Sequence, residues 1–294
     1  MMDNLRPGEM VSEMLAVAEA KAKLGVRDML LRGVLAGAFL GFATSLALVI
    51  TSQGLPPVVG AAFFPAGFVM LVLLGLELAT GNFALLPPAL LAGGVGWKPL
   101  LRNWMWVYVG NLAGSVGYAL LFYLAITNCG ANNGGSLGDM LRQAAQKKTL
   151  GYMALGPGGW TTAFVKGVLC NWMVTVGTLL ALISRSTIGK IAAMWLPITT
   201  FFAQGFEHSI VNMFVIPAGK LLGAPITISN WWLWNQVPVT LGNILAGAVL
   251  TGIAIYVTHS ARGPVAVSTV KSIAAGDERS VVVSAEQLDS IQTG

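Results

Sequence analysis

GFEHSIVNMFVIP, residues 205–217, and GLELATGNFALLP, residues 75–87, decide the fold. Laid on each other at an offset of 130 positions, they match Gly, Glu, Asn and Pro in order. Working outward, LRGVLAG (31–37) matches VKGVLCN (165–171) at an offset of 134. VGNLAG (109–114) matches LGNILAG (241–247) at 132, with one insertion. Any one match could arise by chance among apolar letters. Three, in order and at nearly constant offset, define an internal repeat.

The repeat sits in an exceptionally apolar chain. Of 294 residues, 55% are hydrophobic and only 10% charged, with mean hydropathy +0.72. An ordinary soluble domain carries about 25% charged residues, so a cytosolic enzyme is excluded. No Asp, Glu, Lys or Arg lies between Arg32 and Glu77, between Arg102 and Asp139, or between Lys220 and Arg262. A membrane-spanning helix needs about 20 such residues. Cys129 and Cys170 supply neither a disulfide framework nor a metal cluster. Nothing calls for a cofactor. The net charge of +5 orients membrane segments rather than binding nucleic acid.

Six apolar stretches, near 28–51, 57–90, 103–127, 160–184, 190–217 and 235–258, predict an all-α integral membrane domain over 28–258. The second and fifth are interrupted, with matched breaks at Ala79-Thr80-Gly81 and His208-Ser209. The polar, Gly-rich segment 128–159 links the halves. Three spans per half force the second half to enter the membrane from the opposite side. That is an inverted three-plus-three repeat, a transporter-type plan with its site at interrupted helices. Residues 1–27 contain VSEMLAVAEAKAKLG, which predicts a cytoplasmic amphipathic helix lying on the membrane or on the protein's own face. Residues 259–294 predict a disordered cytoplasmic tail. Eleven Lys and Arg fall in the inner segments against four in the outer ones, so both termini of this multi-pass chain are expected in the cytoplasm. Gly33, Gly37 and Gly41, with Gly110 and Gly114, predict close helix packing.

Ionisable groups inside the spans are functional candidates because charge at membrane depth is costly. Glu77 and Glu207 occupy equivalent positions just before each break. Either they ligate a cation or they accept hydrogen bonds from amides freed by the break. With the matched Asn82 and Asn212 they are assigned to structural support. His208 has Leu78 as its repeat mate, which breaks the symmetry and marks it as a pore residue. Thr80 offers a facing hydroxyl, and Asn171 an amide. Lys166 and Arg32 are repeat mates that guard opposite mouths or simply reach the interface. Phe64, Phe68, Phe201 and Phe202 can form dry constrictions.

Positive mouths and one central imidazole point to a small anion. Stripping water from an anion costs several kcal/mol, and protonating a weak acid's anion removes most of that penalty. Burial alone can raise a carboxylate's pKa by roughly 3–5 units. The residues therefore describe a pathway for a small weak-acid monoanion accompanied by a proton. An intramembrane hydrolase using Ser209 and His208 is the enzyme alternative, but adjacent helical residues point about 100° apart. No Asn-Pro-Ala motif speaks for an aquaporin. His259, at a span end, is too far along to pair with His208 as in an ammonium channel.

FFPAGF (63–68), LELATGN (76–82), KGVLCNWMV (166–174), GFEHSIVNMFVIP and NQVPVTLGN (235–243) resemble the signature segments of the formate/nitrite transporter family. The likeness runs from about residue 8 to 258. It implies an aquaporin-like six-helix protomer with its own pore, in a homopentamer. It implies Thr80, Asn171 and His208 at the pore centre, and constrictions at Phe64, Phe68, Leu78 and Phe201. The family's vestibule lysine maps to Lys147 in AAQKKTL, with Lys148 as its rival. The implied substrates are formate and nitrite and, in some members, hydrosulfide or lactate. Two features depart from the pattern. Ala79 stands where many members carry a constriction phenylalanine. The chain also has extra residues, GYMALGPGGW, between Lys147 and Asn171.

Overall fold

The computed structural model describes residues 4–260 and the backbone of 269–270 and 281–282. It is almost wholly helical. In chain order the helices are α1 (Pro7–Ala22), α2 (Val26–Ser52), α3 (Pro57–Phe63), α4 (Pro65–Leu73), α5 (Ala79–Leu91), α6 (Trp97–Ile126), α7 (Gly135–Lys148), α8 (Leu150–Ala154), α9 (Gly156–Ile183), α10 (Thr187–Ala203), α11 (Ser209–Leu221) and α12 (Ile228–His259). Four of them, α2, α6, α9 and α12, are long and apolar enough to cross a membrane. The others of note are shorter apolar helices, Pro57–Leu73 followed by α5, and α10 followed by α11. In α12, i→i+5 turns at Trp232–Gln236 and Ala246–Ile253 widen the helix.

Glycine stops the helices at both breaks. Gly75 and Gly205 adopt φ of 64° and 65°, a left-handed conformation that costs a glycine nothing. Leu76 N–H then bonds Leu71 O and Gly75 N–H bonds Val72 O; Phe206 to Phe201 and Gly205 to Phe202 repeat the pair. This is the two-bond helix terminator of the Schellman type. Leu78 and His208 are extended, at φ −116° and −108°, and the helices restart one residue later. The non-helical residues are thus 74–78 and 204–208. The first break lies earlier than the sequence reading put it, because Ala79-Thr80-Gly81 already forms the first turn of α5.

Small residues bring the long helices together. A Cβ on Gly33 would lie 3.1 Å from Gly110 Cα, and one on Gly37 would collide with Asn111 O. The same seam recurs at Gly167, whose Cβ would fall 2.7 Å from Val239 O, and at Gly242, which meets Phe164 O. Close backbone approach is the usual reason for glycine at such contacts.

The stripe Met10, Met14, Ala18 and Ala22 of α1 is buried against Leu86, Ala89, Leu100 and Leu179. Its apolar face therefore lies on the protein itself. Arg102 Nη2 donates to Ala22 O (2.8 Å) and Leu24 O (3.0 Å), occupying carbonyls at the helix end. The tail expected at 259–294 falls outside the described residues from 261 onward. The exception is a separate two-residue antiparallel pairing, Thr269 with Val282 and Val270 with Val281.

Candidate functional site

Each break is tied down by the same set of side chains. In the first half, Asn111 Oδ1 accepts Ala79 N–H at 2.9 Å, while its Nδ2 donates to Gly33 O and Glu77 O, both at 2.9 Å. In the second half, Asn243 Oδ1 accepts Ser209 N–H at 2.9 Å, and its Nδ2 donates to Gly167 O (2.7 Å) and Glu207 O (3.1 Å). Buried backbone groups left unpaired cost about 1–3 kcal/mol each, and these asparagines remove that cost at both breaks. The freed amides therefore go to Asn111 and Asn243, not to the glutamates as the sequence reading had it.

The glutamates are held by other donors. Glu77 Oε1 receives Lys21 Nζ and Oε2 receives Asn82 Nδ2, both at 2.7 Å. Glu207 Oε2 receives Lys148 Nζ at 2.7 Å and Asn212 Nδ2 at 2.8 Å, and Oε1 receives Tyr152 Oη at 2.8 Å. Asn82 also donates to Asn103 and Asn212 to Asn235, each at 2.8 Å. Each carboxylate is a buried anion already paired with a cation, an arrangement that supports structure rather than leaving charge free for a metal. Glu77, Glu207, Asn82 and Asn212 are all buried.

Between the breaks, Thr80 Oγ1 lies 3.2 Å from His208 Nε2. His208 Nδ1 faces the N–H groups of Ile210 (3.2 Å) and Val211 (3.3 Å), capping α11. A backbone N–H can only donate, so Nδ1 accepts and the ring proton sits on Nε2, directed at Thr80. Thr80 and His208 are fully enclosed, at 0% and 2% exposure. Both stand at helix N-termini, where partial positive charge favours anions. Asn171 Nδ2 donates to Thr80 O (3.1 Å) and Asn243 O (2.7 Å), and its buried Oδ1 has no partner. Ser209 Oγ is also buried without a partner and does not bond His208. No nucleophile–base pair forms there.

Aromatic rings stack beside the imidazole. Phe201 lies 5.8 Å from His208, centroid to centroid, and Phe64 packs on Phe201 at 5.6 Å and on Phe202 at 4.0 Å. Phe68, Leu78 and Ala79 are buried. A cavity of about 400 Å³ reaches Phe68 and Leu78 and carries Lys21, Arg32, Lys190 and Glu77 in its wall.

The structure brings together Thr80, His208, Asn171, Phe64 and Phe201. It separates the two vestibule lysine candidates: Lys147 is exposed, whereas Lys148 holds Glu207. Of the two, Lys148 is the one in contact with the buried carboxylate beside His208. Helix α7 turns consecutive residues about 100° apart, so one lysine or the other reaches the carboxylate. Lys166 is half-buried, with its Nζ 6.0 Å from the centre of the Tyr152 ring. Asn103, Asn111, Asn235, Asn243, Lys21 and Tyr152 were missed. The four asparagines are repeat mates at an offset of 132, two of them inside segments already matched, so the signal was present.

Residues 8–257 match the family described as Formate/nitrite transporter. A probable formate transporter of Methanothermobacter thermautotrophicus is 36% identical over 270 residues, covering 86% of this chain and 96% of that one. The formate channel FocA of Escherichia coli (strain K12) is 31% identical over 250 residues, covering 77% and 84%. Among solved structures, an FNT family ion channel superposes with TM-score 0.74 at 27% identity, covering 85% of this chain and 98% of that chain. A pentameric formate channel with formate bound superposes with TM-score 0.65 at 28% identity, covering 80% and 97%.

Proposed function

This chain belongs to the formate/nitrite transporter family, and from that premise we propose that it conducts a small weak-acid monoanion, formate or nitrite, past His208. It is an integral membrane protein and, like its relatives, a channel or transporter rather than an enzyme. In our reading α2, the α3–α5 run, α6, α9, the α10–α11 run and α12 are six spans in an inverted three-plus-three repeat, with both termini cytoplasmic. The protomer is aquaporin-like and assembles as a homopentamer. The pentameric, formate-bound neighbour supports that assembly and substrate.

One observation carries the reading: an imidazole with its Nδ1 committed to a helix cap holds its remaining proton on Nε2, 3.2 Å from the Thr80 hydroxyl. An entering anion meets both donors and two helix N-termini in a buried site, where such contacts are strongest. Lys148 and Lys166 at one mouth, and Lys21 with Arg32 at the other, raise the local anion concentration. Phe64, Phe68, Leu78 and Phe201 form the dry constrictions. The ion crosses them after taking up a proton, because the neutral acid avoids most of the desolvation cost. Ala79, smaller than the phenylalanine common in the family, favours a wider neck and a second reading in which lactate also passes; hydrosulfide fits the same pore.

Purified protein in liposomes is expected to pass formate or nitrite faster at acidic than at neutral pH, since acid raises the neutral fraction. His208→Phe should abolish or strongly alter this flux. Equal flux in the variant at every pH removes His208 from the mechanism.

A further inference from the structure

The segment 151–160, where this chain departs from the family pattern, builds something at one mouth that the other lacks among the described residues. It contains most of α8, which is followed by Gly156 at φ 56° and Gly159, whose Cβ would collide with Tyr152 O. Only glycine lets α9 begin this close to α8. The result is a fixed Tyr152, 7% exposed and packed with Ala163 and Val239. Its Oη donates to Glu207 Oε1 at 2.8 Å, and its ring lies under Lys166 Nζ at 6.0 Å. Lys148 takes the other carboxylate oxygen at 2.7 Å. At the repeat-related mouth, Glu77 has a lysine and an asparagine as partners but no tyrosine.

We propose that Tyr152 is a positioning residue for anion entry on the face carrying residues 128–159. By holding Oε1 it keeps the Glu207 charge turned away from Lys166, which then stays free to attract a small carboxylate or oxyanion beside Lys148. Without the hydroxyl, Oε1 loses the Tyr152 donor, its one side-chain donor among the described residues, and Lys166, whose Nζ lies over the same ring, takes its place. The carboxylate would then neutralise the charge that draws the substrate in. Burial and the neighbouring carboxylate push the phenol well above its ordinary range, so Tyr152 remains a donor throughout. The effect is confined to one face, because no equivalent tyrosine serves Glu77.

The inference rests on the channel reading, and the experiment separates the two. Formate entry is measured in right-side-out and inverted vesicles from the same membranes, for the unaltered protein and for Tyr152→Phe. The variant is expected to raise the half-saturating formate concentration about 10–100-fold from the Tyr152 face, the range set by losing one hydrogen bond to a charged group. Saturating flux from that face and the half-saturating concentration from the opposite face stay unchanged. Lys166→Gln removes the cation over the ring while leaving the Lys148–Glu207 pair, and should give the same one-sided loss if the first variant fails to fold. A half-saturating concentration raised equally from both faces, or from neither, overturns the role of Tyr152. No flux through the unaltered protein overturns the channel reading instead.

Discussion

Thr80 and His208 are 128 residues apart in the chain, yet their side chains meet at 3.2 Å, each at the first turn of a helix that restarts after a glycine stop. The contact joins the two halves of the repeat. It depends on both breaks being held in register, which is the task of Asn111 and Asn243.

Thr80→Val removes the hydroxyl and keeps the volume. A hydrogen bond to a charged group contributes about 1.5–3 kcal/mol, so initial formate uptake into proteoliposomes should fall about 10–100-fold, with Thr80→Ser close to the unaltered protein. Full activity in the valine variant would sink the pairing of Thr80 with the substrate.

Asn111→Ala and Asn243→Ala each orphan a helix-starting N–H and the carbonyl of the glutamate before it. At about 1–3 kcal/mol per buried group, either change should lower the thermal midpoint in detergent markedly, and by similar amounts. A large effect in one half only would break the equivalence of the two ties.

Lys148→Met leaves Glu207 without its cation, whereas Lys147 is exposed. Breaking such a buried pair costs about 3–5 kcal/mol. The first variant should weaken apparent formate affinity at least about tenfold, and Lys147→Met should leave it essentially unchanged. Concentration dependence of uptake decides between them, and the reverse order restores Lys147 to the vestibule.

Gly37 has no room for a side chain, while a Cβ on Gly117 meets nothing within 4 Å. Overpacking a filled contact costs about 1–3 kcal/mol or more. Gly37→Leu should therefore abolish recovery of folded protein by size-exclusion chromatography, and Gly117→Leu should not. Comparable yields would mean that the α2–α6 seam can open.

The matched segments located both breaks only to within a few residues, because the stops at Gly75 and Gly205 depend on a left-handed φ that the letters do not display. The Thr80–His208 meeting was legible as a consequence of the repeat. The choice between Lys147 and Lys148 was not, because adjacent letters carry no helical phase until α7 is docked. Tyr152 was invisible for another reason: its bond to Glu207 spans 55 positions and arises in a stretch with no repeat mate. Asn111 and Asn243 show the opposite failure. They lie in matched repeat segments, but the backbone group that each amide serves is fixed only once the helices pack.

The ties described for Asn111 stay within residues 33–111, and those for Asn243 within 167–243. Each loop is thus anchored to its own three-helix unit. Direct side-chain links across the seam are the Thr80–His208 and Asn171–Thr80 bonds, the Ser115–Ile210 bond, and the cluster of Tyr108, Thr240, Gln236 and the Ser209 carbonyl. A small slip of one unit past the other would leave both sets of asparagine ties intact while changing the spacing at the imidazole.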